Sequence, residues 1–263
     1  MSERRRETWR WLAVPGAGAI AMIALQAVGP RVAAPPLLSF VFSFGCIAAL
    51  VLASAQLCPA KGRGDLRWLA LPVLALAAVA WSGAYDVWHA AVVLIALLAG
   101  GTLLGAVVGA SIEHAGHLVF VALVSSFADA ASVLHPKGPS AAIVESETAL
   151  ALLALPFAFL GSHETPPLLG VGDVVFTGLY VAAARRHQLS VRRTIAALAL
   201  AYVATLIAVA AFQLPIPALP FLGLAILIAH PEARRAPQRD RARGFGIVAV
   251  LAAVLAGLYF TAR

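Results

Sequence analysis

The chain has 263 residues, of which 62% are hydrophobic and only 12% are charged. A soluble domain is usually about 45–50% apolar and about 25% charged, so a globule in water could not bury this much apolar surface. The composition excludes a soluble enzyme, a disordered chain and a secreted disulfide scaffold. It predicts one all-α polytopic membrane domain over residues 1–263.

The positive charge is distributed as in a membrane protein. The net charge is +7, and 17 of the 19 basic residues are arginine. They cluster in short loops between apolar runs, whereas a nucleic-acid footprint requires one continuous basic face. Cys46 and Cys58 form no metal-ligand pattern. We therefore expect contact with the lipid bilayer, no nucleic-acid partner, no metal and no cofactor.

Apolar runs that could form membrane-spanning helices occur nine times along the chain. They lie at about residues 11–28, 35–57, 68–84, 87–110, 115–134, 169–184, 195–212, 217–229 and 245–260. The first four form an N-terminal part over residues 1–110, and the next four fall in a second part over residues 115–230. The last is an extra C-terminal helix within residues 244–263.

A further apolar run, Ala149–Leu160, has twelve residues and contains Pro156. Twelve residues are too few to cross a bilayer as a helix. We predict a strand, a short interfacial helix or a re-entrant segment here.

The Lys and Arg residues also predict the orientation. With the N-terminus inside, 16 of the 19 basic residues lie in inside loops, and the other three are Arg31, Lys137 and Arg263. Such a bias follows the positive-inside rule. We expect an integral multi-pass protein of a prokaryotic cytoplasmic membrane, with its N-terminus in the cytoplasm.

Two of the twelve acidic residues, Asp129 and Asp173, lie within predicted spans. An ionisable side chain in the bilayer core costs at least about 2.5–3.5 kcal/mol, so such residues usually line a functional cavity. The alternative is a pair of structural carboxylates, hydrogen-bonded between helices. The two helices run antiparallel, and a rise of about 1.5 Å per residue places both carboxylates roughly 5–10 Å inside the same membrane face. Two neighbouring carboxylates share one proton, so one can deprotonate a water while the other protonates a peptide carbonyl.

Two motifs accompany these carboxylates. Asp173 ends the GxGD sequence of residues 170–173, in which glycine lets the backbone bend and another chain approach closely. The stretch 213–220, which leads into the eighth run, contains Pro215, Pro217 and Pro220. Proline breaks the helical ladder, and unpaired backbone is tolerated at membrane depth only inside protein or facing water. A capped helix start with proline in the first turn is the alternative.

In this order the motifs resemble those of the presenilin and signal peptide peptidase group of intramembrane aspartyl proteases. The stretch from Asp129 to Pro139, with Pro136-Lys137-Gly138-Pro139 at its end, looks like the first catalytic helix and following loop of presenilins. The GxGD sequence matches the second catalytic helix, and residues 217–219 match the PAL motif. The resemblance covers roughly residues 120–225.

The resemblance implies a presenilin-like catalytic core within residues 115–230 that hydrolyses peptide bonds in the transmembrane segments of protein substrates. The residues that it implies are catalytic Asp129 and Asp173, and substrate-binding Gly170, Gly172, Pro217, Ala218 and Leu219. Family members hold an unwound substrate helix as a strand. Here Ala149–Leu160 and the residues just before Gly170 would supply the strands that pair with it.

The chain departs from the family pattern at three points. Ala128, after Phe127, stands where the family usually has tyrosine before the first aspartate. Four predicted spans precede the first catalytic helix, where presenilins have five, and one follows the PAL helix. The predicted orientation of the Asp129 helix is that of signal peptide peptidases and opposite to that of presenilins, and it suggests substrates whose N-termini lie inside.

Two other functions fit part of the pattern. Prepilin-type membrane aspartyl peptidases also carry GxGD, but they typically continue it with a lysine-containing stretch, whereas Val174, Val175 and Phe176 follow here. A proton-coupled transporter or channel could use the same carboxylates as a relay, but such proteins often have paired halves with matching helix breaks. The sequence has no such repeat.

The fourth run carries Gly101, Gly105 and Gly109 in a GxxxGxxxG pattern. Small residues at this spacing let two helix backbones approach closely in a membrane. We expect a close packing face on the helix of residues 87–110, used either within the protein or between copies in a homo-oligomer.

Overall fold

The computed structural model describes residues 10–59, 63–83, 86–134, 138, 143, 145–214, 216–235 and 237–261. It is about 80% helical. The helices are α1 (Ala13–Val28), α2 (Pro36–Leu57), α3 (Ala70–Ser82), α4 (Val87–Ser111), α5 (Leu118–Leu134), α6 (Glu147–Leu153), α7 (Val171–Arg186), α8 (Val191–Phe212), α9 (Leu219–Ala229) and α10 (Gln238–Thr261). Two short strands, β1 (Ala154–Pro156) and β2 (Pro167–Gly170), lie between α6 and α7.

Within the described part of the chain, five helices are long and apolar enough to cross a membrane. They are α1, α2, α4, α5 and α8. The prediction of an all-α membrane protein is therefore confirmed at this level. The other four predicted spans coincide with α3, α7, α9 and α10, and the total of nine spans stays a prediction.

The run Ala149–Leu160 contains a short helix followed by a strand. A strand and a short helix are two of the three predicted alternatives. The run includes most of α6 and all of β1, which pairs antiparallel with β2. Ala154 lies opposite Gly170 and Leu155 opposite Leu169, and the register shifts between Leu155 and Pro156. The two strands form a hairpin that ends where α7 begins.

The chain divides into two compact units, and the division does not follow the predicted parts. One unit holds the chain up to Ser111 together with Glu147–Ala182, and the other holds Ile112–Ser146 and the chain from Ala183 onward. The predicted catalytic part, residues 115–230, is thus divided between them. The Asp173 end of α7 belongs to the first unit, and α5 with Asp129 belongs to the second.

In the first unit, the glycine face of α4 lies directly against α7. A side chain at Gly105 would overlap the carbonyl of Val175, and one at Gly109 would overlap the carbonyl of Leu179. Conversely, a β-carbon at Gly178 would lie 2.8 Å from the carbonyl oxygen of Thr102. The glycine pattern therefore packs α4 on the helix that carries Asp173, and assembly of several copies through α4 stays a prediction.

In the second unit, α10 packs against α5. The rings of Phe120 and Phe245 meet edge to face with centroids 5.4 Å apart, and a side chain at Gly244 would overlap the Phe120 ring. His117 Nε2 lies 3.1 Å from Asp240 Oδ2. The predicted extra C-terminal helix is therefore docked on the helix that carries Asp129.

A buried hydrogen bond joins the start of α8 to the end of α9. Thr194 Oγ1 donates to Ser190 O at 3.1 Å, so its oxygen accepts the proton of His230 Nε2 at 2.9 Å. His230 is 2% exposed. Its burial lowers the pKa of the imidazole below the usual value. The charge of Glu232 opposes this shift in pKa, and the charge of Arg193 adds to it.

The first prediction concerns the α4–α7 contact. Gly105→Ala places a methyl group on the Val175 carbonyl and should lower the stability by about 1–3 kcal/mol, because the helices must move apart. Gly45→Ala, on α2, is the matched control, since a β-carbon there meets no described atom within 4 Å beyond its chain neighbours and its own helix backbone. Thermal unfolding in detergent, followed by circular dichroism, measures both variants. Equal midpoints for the two would contradict the packing.

The second prediction concerns pH. Because the folded chain lowers the pKa of His230, the unfolded chain takes up a proton first as the pH falls below about 6.5, so stability is lost on acidification. His230→Gln keeps an N–H donor for Thr194 but does not titrate. The unfolding midpoint of this variant should fall less between pH 7 and pH 5 than that of the wild type. An equal fall in both would show that His230 does not carry the effect.

Candidate functional site

Asp129 contacts the PAL segment directly. Its Oδ2 accepts a hydrogen bond from the backbone N–H of Leu219 at 2.9 Å. Leu219 is the first residue of α9, where an N–H has no partner inside the helix, and Pro220 after it has no N–H at all. The carboxylate therefore supplies the acceptor that the start of α9 lacks. A negative charge at a helix N-terminus is also favoured by the helix dipole.

One face of α5 carries this contact. Ala122, Ser125 and Asp129 follow a spacing of three and four residues, which places them on one side of a helix. Ser125 is buried, and its hydroxyl donates to Ala122 O at 3.2 Å. A β-carbon at Gly223 on α9 would lie 3.0 Å from Ala122 Cβ. The close approach of α5 and α9 thus brings Asp129 to the α9 N-terminus.

The PAL residues are largely covered in this arrangement. Ala218 and Leu219 are buried, and Pro217 is half-buried. The sequence predicted that these residues hold substrate. The structure adds a contact that sequence reasoning missed, since the N–H of Leu219 is already bound to Asp129. Pro215, part of the same proline-rich break, lies outside the described residues.

Asp173 lies in the first turn of α7, three residues after the end of β2. It is half-buried. A β-carbon at Gly170 would lie 3.6 Å from Asp173 Oδ2. The carboxylate is therefore directly adjacent to the end of the strand.

The two glycines of GxGD leave backbone uncovered beside this carboxylate. Neither Gly170 nor Gly172 has a positive φ, so the main-chain conformation does not require glycine. Apart from its chain neighbours and the backbone of its own helix, no described heavy atom lies within 4 Å of a β-carbon at Gly172. Of the two roles that the sequence suggested for glycine, the geometry favours room for close approach.

The two strands of the hairpin differ in exposure. All three residues of β1 are buried, and α4 packs against this strand, whereas α2 packs against β2. In β2, Pro167 and Gly170 are exposed and Leu169 is buried. Exposed backbone at a strand edge is a template for pairing with another extended chain. The exposed strand is the one that leads into α7.

The predicted site residues therefore form two groups. Asp129 lies with Pro217, Ala218 and Leu219 in one unit, and Asp173 lies with Gly170 and Gly172 in the other. The pairing of the two carboxylates stays a prediction. Of Pro136-Lys137-Gly138-Pro139, only Gly138 lies within the described residues.

No protein-family model matches the chain, and neither a curated protein nor a solved structure matches it. The resemblance to the presenilin and signal peptide peptidase group therefore rests on the three motifs and their spacing. Membership in that group stays a proposal.

A third prediction tests the contact between Asp129 and Leu219. Asp129→Ala removes the acceptor, so hydrogen exchange at the Leu219 amide should become about tenfold faster. Asp129→Asn keeps a side-chain oxygen that can accept the bond, and its exchange should stay near the wild-type rate. Exchange measured by mass spectrometry on peptides from the start of α9 compares the two. Equal acceleration in both variants would contradict this assignment of the acceptor.

Proposed function

We propose that the chain is an intramembrane aspartyl protease. The observation that carries the proposal is the position of Asp173, in the first turn of a helix that directly follows the exposed strand β2. A strand edge beside a carboxylate can hold an extended peptide next to the group that cleaves it. The second carboxylate is Asp129, held at the α9 N-terminus by Leu219.

The proposed catalytic core is presenilin-like. In it, α5 and α7 bring their carboxylates together, and the segment 217–219 borders them. The chain would cross the membrane nine times with its N-terminus in the cytoplasm of a prokaryotic cell. The number and placement of apolar runs and the distribution of Arg support this topology.

The proposed reaction is general acid–base hydrolysis. One carboxylate takes a proton from a water molecule, and the oxygen of that water attacks the carbonyl carbon of the scissile peptide bond. The other carboxyl group gives its proton to the carbonyl oxygen. The tetrahedral intermediate collapses as the carbon–nitrogen bond breaks. The carboxyl group that took the proton from water gives it to the leaving nitrogen, and the other carboxylate takes the proton of one hydroxyl group of the intermediate, which restores the starting pair. The pair titrates as a unit, so neither aspartate is assigned as the base.

The substrate must unwind before it can react. In a transmembrane helix each peptide carbonyl is bound within the helix and shielded by side chains. Pairing with β2 offers new hydrogen bonds to an unwound segment and so offsets the loss of the helical ones. Pro167 has no N–H, and alternate residues of β2 direct their N–H groups to β1. The N–H donors that β2 can offer a substrate are therefore the outward-facing ones among Leu168, Leu169 and Gly170, next to α7. The proposed substrates are therefore transmembrane segments that can locally become extended.

A fourth prediction tests the two carboxylates. Asp129→Asn and Asp173→Asn should each lower the cleavage of a transmembrane reporter in proteoliposomes by about a thousandfold or more, because either change removes one half of the acid–base pair. Glu113→Gln, an exposed carboxylate outside both groups, is the control and should leave cleavage unchanged. Mass spectrometry of the products measures the rate.

Full activity in either aspartate variant would contradict the proposal. Cleavage that an aspartyl transition-state analogue does not inhibit would contradict it as well. Proton flux through the wild-type chain without any cleavage would instead favour the transporter or channel.

A further inference from the structure

The hairpin is fixed to α1 and α2 beyond its short paired strands. Ser43 Oγ on α2 donates to Ala158 O at 2.7 Å, and both residues are buried. The N–H of Gly161 donates to Gly29 O at 2.9 Å, just after α1. Gln26 Nε2 donates to His163 O at 3.0 Å. These contacts hold the turn of the hairpin from the side of the N-terminal helices.

The carbonyl that Ser43 binds lies in a continuation of the strand pairing. Phe157 N donates to Pro166 O at 3.2 Å, and Phe159 N donates to Glu164 O at 3.0 Å. Since successive residues of a strand direct their peptide groups to opposite sides, the carbonyl of Ala158 points away from the partner strand. Ser43 therefore occupies an edge position that another strand would otherwise use. The outer edge of the β1 side is closed there. Helix α4 packs against β1 itself, and α2, which carries Ser43, packs against β2.

We propose that Ser43 is a positioning residue for the cleavage reaction. It keeps the hairpin formed before substrate arrives and blocks strand addition on the β1 side. An incoming extended segment of a transmembrane substrate then pairs with β2, beside Asp173. The role rests on the proposed protease function, and Ser43 itself touches neither the substrate nor the carboxylates.

The chain offers a matched control for the test. Ser54 lies on the same helix, is fully buried like Ser43, and accepts a hydrogen bond from Thr102 Oγ1 at 3.1 Å. Ser43→Ala and Ser54→Ala each remove one buried hydroxyl, but only the first removes a bond to the hairpin. Hydrogen exchange of the hairpin amides and steady-state cleavage of a transmembrane reporter are measured for both variants in lipid nanodiscs.

Ser43→Ala should speed exchange at Phe157 and Phe159 by about tenfold, because the strand loses its anchor. It should raise KM by about fivefold and leave kcat within about twofold of the wild type, because the carboxylates are untouched. Ser54→Ala should leave hairpin exchange and KM within about twofold of the wild type. If Ser43→Ala does not fold, Gln26→Ala is measured in its place, because it removes the exposed hydrogen bond to His163 O that also holds the hairpin. Hairpin exchange and KM should then change in the same direction.

The positioning role is overturned by hairpin exchange that stays at the wild-type rate, by a fall in kcat at constant KM, or by equal effects in the two serine variants. These outcomes leave the proposed protease function standing. If the wild-type chain cleaves no reporter, the proposed function fails and the positioning role fails with it.

Discussion

A peptide group or a carboxylate at membrane depth must find its partner inside the protein, because lipid offers no hydrogen bonds. The proline-rich start of α9 leaves N–H groups without helical acceptors, and Asp129 is a carboxylate on an apolar helix. The hydrogen bond from Leu219 N–H to Asp129 gives the N–H an acceptor and gives the carboxylate a donor. The contact thereby fixes α5 against α9 and fixes the direction in which the carboxylate points. Asp129 is half-buried at this contact.

The same constraint shapes the half of the molecule that carries Asp173. The hairpin satisfies its inner peptide groups by strand pairing, and Ser43 satisfies the carbonyl of Ala158. The glycine face of α4 lets its backbone contact the backbone of α7 directly. This contact fixes the position of α7 after β2. Two residues of β2, Pro167 and Gly170, remain exposed. In this unit the exposed strand β2 therefore lies next to the carboxylate of Asp173.

The sequence predicted what depends on composition and spacing. The apolar runs predicted a helical membrane protein, the glycine spacing at Gly105 a close helix contact, and Pro156 in a short run a break from helix. The predicted spans at 169–184 and 217–229 begin too early, because β2 and the PAL segment use their first residues. Sequence spacing also could not reveal the partners of Asp129 and Ser43, which lie 90 and 115 residues away. Such contacts depend on tertiary packing, and an ordinary serine in an apolar helix carries no motif.

Asp129 and Asp173 are proposed to act on one water, so cross-linking between the two positions should be possible. Asp129→Cys and Asp173→Cys are combined in a chain with Cys46→Ala and Cys58→Ala, and a short bifunctional thiol reagent is added in nanodiscs. If the two carboxylates share one water, intact mass should show one bridging reagent per chain, as in a positive control that pairs Asp129→Cys with Leu219→Cys. Two separate adducts at positions 129 and 173, with a bridge in the control, would contradict it.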